Sequence, residues 1–296
     1  MWLQDLQTEK KKKIIKLEHR LKQLVDYSYP VIAWHPTGKI LTFIAEEKGK
    51  LVMHFYFVET KKMQKRNIPY YDKILDFDYS DDGLNMAFSG VMKGQTDLFI
   101  YNLSSGASEQ VTNDAADELF PRFAENSTKV IFASNRIGDT LEVDKSVRPN
   151  VMPTYDLFVY DFKNKSKVLQ RITNTPYDDE TKPEPIKKNT YSYLSDQNGV
   201  INRVLATYDS TISFVDTVTH YRFYTTKYPV SNYNRNIDYY SITPDEGNIS
   251  EILFNNKRDR IVVKDYNPKA DVGNGFKNTV YREERTKEFR KKIVYC

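Results

Sequence analysis

The stretch Asp97-Leu98-Phe99-Ile100-Tyr101-Asn102-Leu103 returns fifty-nine positions later as Asp156-Leu157-Phe158-Val159-Tyr160-Asp161-Phe162. Each is a run of aromatic and β-branched residues between polar turns, which reads as a buried strand. The segment after each also repeats: Glu109-Gln110-Val111-Thr112-Asn113 is answered by Gln170-Arg171-Ile172-Thr173-Asn174. Before each lies the same phrase of an aromatic strand, a polar turn and an apolar strand ending in small residues. In the earlier copy this is Ile74–Ser80, the turn Asp81-Asp82-Gly83 and Leu84–Gly90; in the later one Phe120–Ala124, Glu125–Thr128 and Lys129–Arg136, with a polar insertion over Ile137–Tyr155.

The phrase extends in both directions. Toward the N-terminus it reads Ile32–Pro36, Thr37-Gly38-Lys39, Ile40–Ala45, Leu51–Val58 and Met63–Ile68. Trp34 to Tyr79 is 45 positions and Tyr79 to Phe123 is 44. A fourth copy begins near Pro183, with Tyr191–Leu194, the turn Ser195–Gly199, Val204–Tyr208 and Thr211–Asp216. A degraded fifth has Ile237–Ile242, Pro244–Gly247, Ile249–Phe254, Asn255–Lys257 and Arg260–Tyr266. Four short strands per unit of about 45 residues is the signature of β-propeller blades. One such sheet cannot bury both faces alone, so blades stack. The expected fold is all-β, a propeller of four-stranded antiparallel blades, about five of them present, with closure of the ring left open.

Composition agrees. The chain has 296 residues, 40% hydrophobic and 28% charged, with 22 Tyr and 16 Phe against 11 Gly. That excludes a disordered chain and favours pleated surfaces carrying large flat side chains. Met1–Val25 holds seven basic and three acidic residues, and Phe276–Cys296 the same, so each end carries +4 and the body −4. A nucleic-acid binder keeps its basic face on the folded body, so nucleic acid is not an expected partner. Cys296 is the single cysteine, which rules out an intrachain disulfide. No secretory signal pattern and no membrane span is read in the sequence.

Leu3, Leu6, Ile14, Leu17, Leu21, Leu24 and Val25 fall at helical spacing. An amphipathic helix or connector is therefore expected over residues 1–28, with its lysines on a solvated face; a basic membrane-surface helix is the less favoured reading. The expected division is this helix, a propeller over 29–268 and a basic, helical tail over 269–296. Both ends read as cuts in a longer protein, which would leave the isolated chain less stable and prone to aggregate through exposed strand edges.

Ile32–Lys39 (IAWHPTGK), Phe77–Gly90 (FDYSDDGLNMAFSG) and Pro121–Asp139 (PRFAENSTKVIFASNRIGD), with the paired Asp-Leu-Phe strands, resemble the WD40-like repeat of TolB-type propellers. The resemblance covers about Tyr29 to Tyr266. The family's Ser-Pro-Asp-Gly turn survives only as His35-Pro36-Thr37-Gly38 and Ser80-Asp81-Asp82-Gly83, and the α/β domain that precedes the propeller in TolB is absent. The chain looks more like a piece of a long TolB-like protein of Gram-negative bacteria. The resemblance implies a periplasmic or outer-membrane-associated protein that holds an envelope protein or peptide, and it carries no catalytic residue.

Candidate chemistry is sparse. His19, His35, His54 and His220 show no metal-ligand spacing and read as turn or surface residues; a metal site of the kind found in some propeller lyases would need two or three of them to converge. Asp76–Gly83 mimics the start of a calcium loop, but Ala87 stands where the final Glu belongs, so it reads as strand and turn. There is no G-x-S-x-G elbow, and Gly273-Asn274-Gly275 lacks the Lys-Ser/Thr of a phosphate loop. Tyr221-Arg222-Phe223-Tyr224, Tyr228, Tyr233, Arg235, Tyr239 and Tyr240 form the densest aromatic stretch, read as blade packing and a long loop ahead of a recognition surface. No catalytic residue, metal or cofactor is expected, and binding residues are left unassigned. The expected function is a non-enzymatic interaction scaffold; the alternative is a propeller hydrolase or lyase, or the gating propeller of a peptidase.

Overall fold

The computed structural model describes residues 1–15, 26, 28–142, 151–243, 245, 247–267 and 277–294, with side chains to 288. Gly273-Asn274-Gly275 and His19 lie outside the described residues. A hairpin of β1 (Trp2–Gln4) and β2 (Lys11–Lys13) precedes five blades that follow one another as meanders. Blade 1 is β3 (Val31–Trp34), β4 (Ile40–Glu47), β5 (Lys50–Phe57) and β6 (Met63–Asn67); blade 2 is β7 (Lys73–Tyr79), β8 (Asn85–Met92), β9 (Gln95–Asn102) and β10 (Ser108–Gln110). Blade 3 is β11 (Glu118–Ala124), β12 (Lys129–Arg136), β13 (Val151–Asp161) and β14 (Gln170–Arg171); blade 4 is β15 (Glu180–Lys187), β16 (Thr190–Ser195), β17 (Asn202–Val215) and β18 (Thr219–Pro229). Blade 5 has three strands among the described residues, β19 (Ile237–Ile242), β20 (Asn248–Asn255) and β21 (Arg258–Asp265). Helix α1 (Val280–Val294) is the last element among the described residues and gives a helix within the expected tail.

Blades stack because successive residues of a strand point to opposite sides. Ala87 faces blade 3 while Phe88 faces blade 1; Phe132 faces blade 2 while Ile131 and Ala133 face blade 4. A separate apolar core thus fills each junction, Ile44, Met53, Phe88 and Phe99 in the first, and Leu194, Ile237, Tyr240 and Ile249 in the last. The end blades keep apolar side chains in solvent, Ile32 and Trp34 on blade 1 and Phe254 and Ile261 on blade 5.

The repeated Asp-Leu-Phe stretch has a structural cause. In blade 2 the Leu98 amide donates to the Thr112 hydroxyl (2.9 Å), which lies 3.1 Å from Asp97 and 2.7 Å from Glu118 at the start of the next blade. In blade 3 the Leu157 amide donates to Thr173 (2.8 Å), beside Asp156, and Glu180 opens the following blade. Asp and Thr close the third and fourth strands together, and the buried Glu118 ties blade 3 to the threonine before it.

The helix expected from Leu3 is not formed over the described part; residues 1–15 make the β1–β2 hairpin, and 16–25 lie outside the described residues. Asp5 decides the local fold by accepting the Gln7 and Thr8 amides (2.9 and 3.0 Å), a turn that breaks helical continuity. Met1, Leu3, Ile14 and Ile15 then cover Leu41, Phe43 and Tyr56 of blade 1. In blade 4, Val204–Tyr208 and Thr211–Asp216 are not two strands but one, β17, paired along its length with β18.

Gly83 sits at φ +68°, and a Cβ there would stand 2.3 Å from His35 Nε2. The His35 ring cannot easily retreat, since Nδ1 bonds Thr37 Oγ1 (2.9 Å) and its edge meets Tyr79. Gly83→Ala is expected to cost about 1–3 kcal/mol in urea denaturation, with His35→Ser recovering only the contact part.

Candidate functional site

The innermost strands β7, β11, β15 and β19 each carry a register shift at a corresponding point, between Ile74 and Asp76, Leu119 and Arg122, Thr181 and Glu184, and Ile237 and Tyr239. Such bulges bend a strand and re-aim its side chains. Here they bring residues of four blades together around Arg122, which is buried. Its Nη1 donates to Asp76 Oδ2 (2.8 Å) and the Pro121 carbonyl (2.7 Å), its Nε to Glu184 Oε1 (3.3 Å) and its Nη2 to the Tyr239 hydroxyl (3.0 Å). Asp78 accepts the Phe123 amide (2.8 Å). Lys182 donates to the Asp238 carbonyl and lies over the Phe120 and Tyr239 rings.

Burial pushes the Asp78 carboxyl up to about 6 and that of Glu184 up to about 7, with Arg122 pulling both back. Chemically this is one guanidinium shared among three blades, its donors spent on fixed partners. It fastens the blades where a nucleophile or base would need freedom.

The calcium-like stretch dissolves into this frame. Asp76 serves Arg122, Asp78 serves a backbone amide of blade 3, and Asp82 accepts Ser80 Oγ (2.6 Å) and the Leu84 amide (2.9 Å) as a turn. The described histidines lie apart: His35 on the first turn of blade 1, His220 near the tip of β18 against Asp216 (3.2 Å), and His54 on β5. His54 departs from its expected surface position; it is buried, stacked on Phe43 at 4.5 Å, and burial lowers its pKa. Of the aromatic stretch, Tyr239 and Tyr240 pack inward, whereas Tyr221, Phe223, Tyr224 and Tyr228 are exposed.

A cleft of 560 Å³ opens where the β4–β5 turn meets the connection from blade 1 to blade 2. Glu46, Lys50, Asn67, Tyr70, Tyr71 and Asp72 line it. Tyr70 is 86% exposed and holds φ +79°, a conformation disfavoured for a bulky residue. Tyr71 is anchored edge-on to Phe88 and Phe99. The cleft therefore sets an exposed aromatic beside charges of both signs, next to the end of the edge strand β6. Sequence reasoning missed Arg122, Glu184 and Tyr70; the signals present were an arginine inside an apolar strand, Pro-Arg-Phe, and a Pro-Tyr-Tyr connector.

Solved structures share this architecture. TolB from Acinetobacter baumannii superposes with a TM-score of 0.58 at 15% identity, over 89% of this chain and 56% of that one. A TolB-designated protein from Agrobacterium tumefaciens gives 0.59 at 12%, over 88% and 83%. An oligogalacturonate lyase in complex with manganese gives 0.55 at 10%, over 91% and 83%. The chain thus spans little more than half the length of the Acinetobacter TolB. No family model and no curated protein matches it. The fold is a five-blade β-propeller of the TolB type.

Proposed function

We propose that the chain is a non-enzymatic interaction scaffold of the bacterial envelope that holds an extended segment of another protein. The observation that carries this reading is the cleft at blades 1 and 2, with Tyr70 displayed over it and Glu46, Lys50 and Asp72 at its rim. Tyr70 stands on the connector between β6 and β7 beside the anchored Tyr71, and tyrosine is a favoured interface anchor. The TolB-like fold supports protein partners, and among the described residues no helix is long and apolar enough to cross a membrane.

The alternative, a propeller lyase or peptidase gate, draws on the likeness to the lyase. Photocrosslinking from position 70 in envelope extract is expected to capture one defined protein, and Tyr70→Ala to weaken its binding by tenfold or more, the weight of an interface anchor of about 1.4 kcal/mol or above. Turnover of a peptide or oligosaccharide substrate, with bound metal and no captured partner, would overturn the scaffold in favour of the enzyme.

A further inference from the structure

Strands β17 and β18 outgrow their blade. Pairing of β17 with β16 ends at Thr207, but its pairing with β18 continues to Val215 and Thr219. Eight residues at about 3.4 Å each carry a two-stranded arm roughly 25 Å beyond the sheet. The arm carries aromatic side chains on both sides, and the side that holds Phe214 and Tyr224 also carries Asp209, Thr211, Arg222 and His220. Ser210 pairs with Phe223 and Ile212 with Tyr221; a bulge then sets Phe214 opposite His220, on the other side with Tyr224. Ile212, Phe214, Val215, Val218, Tyr221 and Phe223 are each more than half exposed.

The arm stands in a basic surround. The Tyr208 amide donates to the Asn189 carbonyl (2.8 Å), so the turn with Lys187 and Lys188 abuts its root. The Asn189 amide reaches Glu125 (3.3 Å), and Lys163 donates its amide to Thr128 (3.0 Å), which places the blade 3 turn with Lys163 and Lys167 on the same face. These four lysines are exposed and make no side-chain ion pair among the described residues, unlike Lys165, which pairs with Glu109 (2.7 Å). At the tip, Asp216 is engaged by His220 and the Val218 amide (2.9 Å).

We infer that this face docks on an anionic lipid bilayer, the aromatic arm entering the headgroup region and Lys163, Lys167, Lys187 and Lys188 resting on the anionic surface. A folded protein partner covers one side of a ribbon, whereas a bilayer interface surrounds it, and tyrosine is favoured at that depth. The unpaired outer edges of the arm need water, which holds the tip among headgroups and out of the hydrocarbon. Each lysine near such a surface contributes about fivefold in affinity. The inference is independent of the scaffold reading, because the cleft beside Tyr70 lies on the opposite propeller face, where the second-to-third strand turns gather.

Sedimentation of the 296-residue chain with phosphatidylcholine vesicles, with and without phosphatidylglycerol, tests it. Binding is expected only with phosphatidylglycerol and is expected to fall as salt rises. Lys187→Gln with Lys188→Gln should weaken it about 25-fold, and Phe214→Ser with Phe223→Ser should abolish it; all four sites are exposed, and unchanged circular dichroism confirms the fold. Failure to bind phosphatidylglycerol vesicles, binding indifferent to both double variants, or arm-dependent capture of a soluble protein without vesicle binding would each overturn the proposal.

Discussion

Arg122→Leu is expected to lower the unfolding free energy by about 3–5 kcal/mol, read as a fall in urea midpoint at unchanged slope. The size is set by the groups left behind, not by the contacts removed. Asp76, Glu184 and Tyr239 would be left facing one another at a buried junction of blades 2, 4 and 5, with the cation that reconciles them gone. Arg122→Lys should recover little, since one ammonium cannot meet three partners that the planar fork reaches at once. Adding Asp76→Asn and Glu184→Gln to Arg122→Leu should restore a large part of the loss by removing the stranded charge, and the cycle measures the coupling directly. A loss under about 1 kcal/mol for Arg122→Leu would show that the blades are held by their apolar cores alone.

The blades were legible because each repeats a backbone task. The aspartate before Leu98 and Leu157 and the threonine that returns as Thr112 and Thr173 solve the same hydrogen-bonding problem at the same place, so they recur at the same place in the sequence. Arg122 was not legible, because its partners lie 46, 62 and 117 residues away and meet it only after four separate bulges have aimed them inward. Residues 1–15 misled for a different reason: apolar residues three, four and seven apart also fit a hairpin whose two ends converge on one patch, and Asp5 chose between the two. The arm of blade 4 has ordinary strand composition, and nothing local marks where a strand leaves the sheet that should cover it. His54 likewise reads as a polar strand residue until Phe43 and the N-terminal hairpin close over that face.

The second large effect is one of pH. Glu180 is fully buried at the head of β15; its carboxyl is pushed up from 4.5 to about 7 by burial, only partly offset by Lys227 at 3.4 Å. The folded value lies above the unfolded one, so protonated Glu180 contributes its full stability below about pH 4.5, and this is lost as pH rises through about 7. For this one group the loss is on the order of 3 kcal/mol. Glu118 and Glu184, also pushed up to about 7 by burial, act in the same direction, so the chain should be more stable at pH 5 than at pH 8, opposite to the usual course of acid denaturation. Glu180→Gln separates this cause from others, because glutamine resembles the protonated acid in shape and polarity. At pH 5 the variant should match the parent; at pH 8 it should be more stable by about 2–3 kcal/mol in urea denaturation. A variant that is destabilised equally at both pH values would mean that Glu180 is held as a carboxylate by Lys227 and Tyr193, and that the junction of blades 3 and 4 is closed by an ion pair and not by a neutral acid.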